Sequence, residues 1–138
     1  MQEQWKSPRP MRRPTRNDAA RRRRALRAGH SAEWAAVVYL RLKGYRILAR
    51  GFLVKGGEID IVARRGGTIA FVEVKMRAAL DDARTAIVPA KRRRIARAAR
   101  VFVARHRITG WTLRADALYL APWRWPLHIP AAFELDLD

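Results

Sequence analysis

The chain has 138 residues, enough for one hydrophobic core but not for two. Lys and Arg total 30 against 12 Asp and Glu, a formal charge of +18, which excludes an acidic or neutral surface and points to a polyanionic partner held through counterion release. Cysteine is absent, which excludes disulfides, thiolate zinc and cysteine nucleophiles, and no apolar run or hydrophobic leader core suggests a membrane, so a soluble cytoplasmic protein is expected.

Residues 1–28 carry ten basic and two acidic side chains and three prolines with almost no apolar periodicity. They cannot bury enough surface to offset the entropy of ordering, so a disordered basic arm is expected, either gripping nucleic acid or serving as an unconstrained leader. From Ser31 to Lys43 apolar residues recur at helical spacing, with Ser31 as N-cap and Gly44 as the C-terminal stop. Glu33, Val37 and Leu40 fall on one face of that helix, which turns a first-turn carboxylate toward an apolar stripe. Tyr45 to Val54 reads as a strand that ends in the turn Lys55-Gly56-Gly57.

Residues 57–75 organise the rest. Two apolar runs, Ile59 to Ala63 and Ile69 to Val74, flank Gly66 and Gly67, whose freedom at positive φ suits a two-residue hairpin turn. With Arg65 paired to Thr68, the antiparallel ladder sets Asp60 opposite Glu73 and Glu58 opposite Lys75, all on one face of the sheet. Directly opposed residues have Cβ atoms roughly 4.5–5.5 Å apart, and like charges at that distance repel. A hard divalent cation would resolve the conflict, since Mg²⁺ takes one or two carboxylates and completes its shell with water and phosphate oxygens. Lys75 could then hold a water and counter phosphate charge. The alternative is a solvated polar face with Glu58 and Lys75 as an ordinary cross-strand pair.

Ala78 to Thr85 is poor in apolar residues and is expected to be a mobile loop beside this face. Val88 to Arg105 is the clearest helix, with Pro89 in its first turn and Ile95, Ala98, Ala99 and Phe102 as its apolar stripe. Its other faces carry Lys91, Arg92, Arg93, Arg94, Arg97, Arg100 and Arg105 with no acid among them. Uncompensated like charges on a helix repel, which favours phosphate contact over a merely solvated face. Arg outnumbers Lys 25 to 5, however, so gene base composition is a competing source of the excess. Leu113 to Leu120 is a fourth strand, and residues 122–138 form a Pro- and Trp-rich extension. Trp123 and Trp125 around Arg124 are expected to cover the open side of the core, with base stacking as the alternative. His30, His106 and His128 show no metal-ligand spacing.

Asp60 followed thirteen residues later by Glu73-Val74-Lys75 resembles the D…(D/E)XK signature of the PD-(D/E)XK nuclease superfamily. More narrowly, Gly57-Glu58-Ile59-Asp60 with Phe71-Val72-Glu73-Val74-Lys75 resembles the YraN family of bacterial endonuclease-like proteins, relatives of Holliday-junction resolvases. The likeness extends to Gly29, Glu33, Gly44-Tyr45, Lys91 and Arg114-Ala115-Asp116, with departures at Gly51, Met76 and Ala115. It implies an α/β, restriction-endonuclease-like core of order α-β-β-β-α-β over residues 29–121, a mixed central sheet flanked by helices. It also implies Asp60 and Glu73 as ligands of Mg²⁺ or Mn²⁺, Glu33 as a further ligand, Glu58 as an auxiliary carboxylate and Lys75 as the catalytic lysine. Lys91, Arg92, Arg93, Arg94, Arg97 and Arg100 would hold nucleic acid, structured or branched DNA in particular, in a homodimer by analogy with junction cutters. The competing readings are an inactive nucleic-acid-binding module on the same fold and a small basic RNA- or ribosome-associated protein.

Overall fold

Gly66 and Gly67 turn the chain between β2 (Gly57–Arg65) and β3 (Thr68–Met76). Only Gly66 adopts the left-handed region, at φ +57, so the turn needs glycine at its first position alone. The computed structural model describes Arg16, residues 31–77 and residues 87–138. The arm expected over residues 1–28, Arg16 apart, and the loop expected over 78–85 lie outside the described residues. The hairpin register is the expected one from Arg65↔Thr68 to Ile61↔Val72.

Around it stand helical residues 31–42 (α1), β1 (Arg46–Val54), α2 (Pro89–Arg105), β4 (Thr112–Leu120) and β5 (Leu127–Phe133). The five strands form one sheet in the order β1-β2-β3-β4-β5, and it is mixed because β3 and β4 run parallel while the other neighbours are antiparallel. The architecture is therefore α/β as expected, with one element more: residues 127–133 add an edge strand to the same sheet. Pro130 lacks a donor for the ladder, and at an edge that costs little. Ser31 is itself helical rather than the flanking cap. Gly44, at φ +87, ends α1 as expected, and the Tyr45 N–H closes onto the Leu40 carbonyl at 3.0 Å.

Each helix covers one face. Val37 and Leu40 of α1 pack with Ile61, Ala63, Ala70, Val72 and Leu118. On the other side, Ile95, Ala98, Ala99 and Phe102 of α2 pack with Ile59, Val62, Phe71 and Ala117. Fully buried side chains such as Phe71, Ile95 and Leu40 each contribute roughly 1.5–3 kcal/mol by leaving water. Among the described residues, no helix is long and apolar enough to cross a membrane.

Gly57 sets the position of α2. A Cβ built there would lie 2.5 Å from the Arg94 carbonyl oxygen and 2.9 Å from the Ala98 nitrogen, so only glycine lets the helix backbone seat on β2. Both neighbours are main chain and cannot swing aside. Gly57→Ala is expected to lose roughly 1–3 kcal/mol of unfolding free energy in urea, through overpacking. A loss below about 0.5 kcal/mol, within the range of ordinary surface substitutions, would show that the helix is not held so close.

Candidate active site

Strict alternation breaks at Asp60. Ile59 lies in the α2-side cluster and Ile61 in the α1-side cluster, so side chains two apart on one strand occupy opposite faces. Their partners across the ladder, Phe52 and Arg50, switch in the same way. Phe52 packs on the α2 side, while Arg50 meets Glu33 and Trp34 of α1. Between them Gly51 adopts φ +57, a conformation that glycine tolerates without strain. The Asp60 carboxylate then bonds inward, accepting the Val74 N–H at 2.8 Å.

Glu73 stands beside it. Only 3% of this residue is exposed, and among the described residues its buried Oε2 has no hydrogen-bond partner. Its other oxygen, Oε1, lies 3.3 Å from the Lys75 ammonium and 3.7 Å from that of Lys91. Burial first, then the Asp60 charge, raise the Glu73 pKa to about 7 against the pull of the two lysines. As a carboxylate Glu73 leaves Oε2 without a donor; as an acid it can donate to Asp60, so the pair is built to hold one proton or one cation.

Lys91 is drawn into the same cluster. Its ammonium is 2.6 Å from Glu58 Oε1. Burial disfavours its charge, but the bond to Glu58 and the nearby carboxylates outweigh it, and the Lys91 pKa is raised. The bond to Lys91 in turn lowers that of Glu58, against a smaller effect of burial. Lys91 belongs to the first turn of α2, so the helix also presents the positive end of its dipole to the carboxylates.

The structure thus brings together Glu58, Asp60, Glu73 and Lys75, and adds Lys91. Two of the expected residues have protein partners. Lys91, expected to hold nucleic acid, has its ammonium against Glu58 of β2 and Glu73 of β3, one helical turn before the Arg94–Ala98 stretch that Gly57 seats. Glu33, expected as a further ligand, pairs with Arg50 at 3.4 Å, the face switch at Gly51 having turned that arginine toward α1. Among the described residues, no three His, Asp or Glu side chains are grouped as a metal cage. Two carboxylates are nonetheless within what Mg²⁺ takes from protein. The unpartnered Glu73 oxygen is an acceptor such an ion could use, so the donor set fits.

Arg93, Arg94, Arg97 and Arg100 remain exposed. Arg92 is partly used, donating from Nε to the Ile87 carbonyl at 2.7 Å. A cleft of about 450 Å³ runs between Arg92, Arg93, Arg97 and Arg100 on one side and Glu134 and Asp136 on the other. Sequence reasoning missed a second carboxylate centre. Asp116 is wholly buried and accepts from Arg114 Nε at 2.7 Å, from Arg114 NH2 at 2.8 Å and from the Ala131 N–H at 3.0 Å. Its Oδ2 also lies 2.8 Å from His128 Nε2, and Lys43 Nζ lies 2.6 Å from His128 Nδ1. The latter contact sets Nδ1 as acceptor and Nε2 as donor. With its oxygens taken by internal donors, Asp116 pins β5 to β4.

A mixed α/β sheet with an acidic pair and two lysines beside its central hairpin defines a class of protein; sequence comparison gives the family. Residues 32–120 match the model of uncharacterised protein family UPF0102, and the chain belongs to that family, as the YraN-like resemblance led us to expect. It is 60% identical over 120 residues to a UPF0102 protein of Methylocella silvestris, covering 86% of this chain and 97% of that one. It is 58% identical over 125 residues to one of Methylorubrum extorquens, covering 90% and 98%. With a UPF0102 protein of Rhizobium meliloti the identity is 45% over 117 residues, covering 82% and 93%.

The raised Glu73 pKa has a measurable consequence. The unfolded chain holds this proton only up to the ordinary carboxyl value of 4.5, and the folded chain up to about 7. Glu73 therefore favours folding below 4.5 and loses that contribution as pH rises to about 7. A carboxyl-carbon NMR titration is expected to show a midpoint near 7 for Glu73, moving downward in Asp60→Asn, where the neighbouring charge is gone. A midpoint at the ordinary value, or one indifferent to Asp60, would contradict the coupling.

Proposed function

We propose that the chain is a metal-dependent nuclease-like protein that binds structured or branched DNA and hydrolyses its phosphodiester bonds. The observation that carries this reading is the buried, unpartnered Glu73 oxygen beside Asp60. Among the described residues, a strongly basic protein leaves one oxygen of this acidic pair without a donor. An ion pair evolved only for stability would satisfy both oxygens.

In this reading Asp60 and Glu73 would hold Mg²⁺ or Mn²⁺. The cation would supply Lewis-acid polarisation of the scissile phosphate and neutralise the charge that develops on it. Lys75, on the same strand as Glu73 and 3.3 Å from it, orients the attacking water and balances charge on the phosphoryl oxygens. Glu58 keeps Lys91 within reach of the Glu73 carboxylate, where its ammonium would also meet a phosphate oxygen. The exposed arginines of α2 hold the backbone on either side without reading sequence.

The test is a panel of four-way junctions, flaps and duplexes incubated with and without Mg²⁺ or Mn²⁺. Cleavage of the branched members is expected only with metal. Asp60→Asn should abolish it, and Lys75→Ala should slow it about a hundredfold or more, while both variants still bind. Binding without any cutting under every metal would favour the non-cleaving module. A preference for RNA indifferent to metal would favour the ribosome-associated reading.

A further inference from the structure

The turn between β4 and β5 carries the least protected aromatic surface among the described residues. Trp123 is fully exposed, at 102%, and Trp125 is 80% exposed. They do not cover the core as expected. That side is closed by Ile129, Phe133, Leu135 and Leu137. Among the described residues, neither indole ring stacks on another aromatic or lies under a cation.

The turn is nevertheless built to a definite shape. Its sequence is Pro122-Trp123-Arg124-Trp125-Pro126, and each proline fixes its own φ and offers no N–H to extend either strand. Trp123 sits at φ +60, a left-handed conformation rarely adopted by bulky residues. Holding two indoles in water on a stiffened, strained backbone gives the fold nothing that a polar turn would not.

Topology places this turn at the acidic end of the sheet. β3 and β4 are parallel and in register, Glu73↔Ala117, Lys75↔Tyr119 and Met76↔Leu120. The Arg77 N–H continues the pairing to the Leu120 carbonyl at 2.8 Å. The seven residues from Ala117 to Trp123 span no more than about 20 Å even when extended. The tryptophans therefore lie within a few nucleotides of Glu73 and Lys75, on a protein whose charge already favours polyanions.

We propose that Trp123 and Trp125, with Arg124 between them, form a stacking platform for unpaired bases. It would hold the single-stranded part of a nucleic acid whose phosphate backbone passes the carboxylates. Stacking on indoles is tolerant of sequence, because every base has a π face, and the guanidinium between the rings meets the backbone phosphate. The platform rests on the proposed nucleic-acid reading and narrows it: the preferred ligand has unpaired nucleotides at the site, as a flap or splayed junction does and a blunt duplex does not.

The test measures binding in EDTA by fluorescence anisotropy, using a flapped duplex, a blunt duplex and an oligothymidylate. Because both rings are exposed, Trp123→Ala and Trp125→Ala are expected to leave thermal unfolding unchanged. Each should weaken binding of the flap and the oligothymidylate by about five- to hundredfold, with blunt-duplex affinity unaltered. Tryptophan emission should be quenched by oligothymidylate in the wild type and much less so in the double variant. Equal losses on all ligands, no loss at all, or tryptophan-dependent binding to phosphatidylglycerol vesicles but not to oligothymidylate would each overturn the platform. If the tryptophan-dependent flap preference holds while no substrate is ever cut, the platform stands and the hydrolytic reading falls. If the double variant cuts and binds flaps as the wild type does, the reverse applies.

Discussion

At two points this sheet gives up main-chain pairing and lets an aspartate take the freed N–H. The Asp60 carboxylate accepts from Val74, just beyond the last pair of the hairpin ladder, Ile61↔Val72. Asp116 accepts from Ala131, where the β4–β5 register slips between Ala115 and Ala117. A buried N–H must find an acceptor, so each aspartate is tied to the irregularity it satisfies. Around Asp116 the internal donors complete a structural knot. Around Asp60 they do not, and the shortfall falls on Glu73.

That shortfall is what the proposed chemistry depends on. Two carboxylates share a corner with Lys75 and Lys91, and among the described residues one Glu73 oxygen is left over. Gly57 admits the helix that brings Lys91, and Gly51 admits the face switch that keeps Arg50 with Glu33 on the other side of the sheet. The two glycines thus decide which cation reaches the acidic pair: a flexible ammonium that can leave, and not a bidentate guanidinium that would close the site.

Much of this was legible in the chain. The diglycine turn set the hairpin register as far as Ile61↔Val72, the i, i+3, i+4, i+7 stripe fixed the buried face of α2, and Gly44 marked the end of α1. The misses share a cause, in that they turn on contacts between residues distant in sequence. Lys91 looks like any other cation on a helix until the fold sets the start of α2 beside Glu58 and Glu73. Glu33 could be placed on a helix face but not paired, because its partner depends on a strand that changes faces. β5 carries Pro130 and lacks alternation, so it resembles a loop unless the edge of the sheet is known. The Asp116 centre joins residues up to 85 positions apart, from Lys43 to His128, and no local pattern announces it. Exposed aromatics are the opposite case: Trp123 and Trp125 were visible in the sequence, and only their exposure separates a stacking surface from a core lid.

The most direct test of the central claim is an anomalous difference map from a crystal of this chain grown with Mn²⁺. The account predicts one strong peak between the carboxylates of Asp60 and Glu73, with the Lys91 ammonium withdrawn from Glu73. An empty corner at saturating Mn²⁺, with Lys75 and Lys91 still holding Glu73, or a peak bound by Glu33 in place of Glu73, would contradict it.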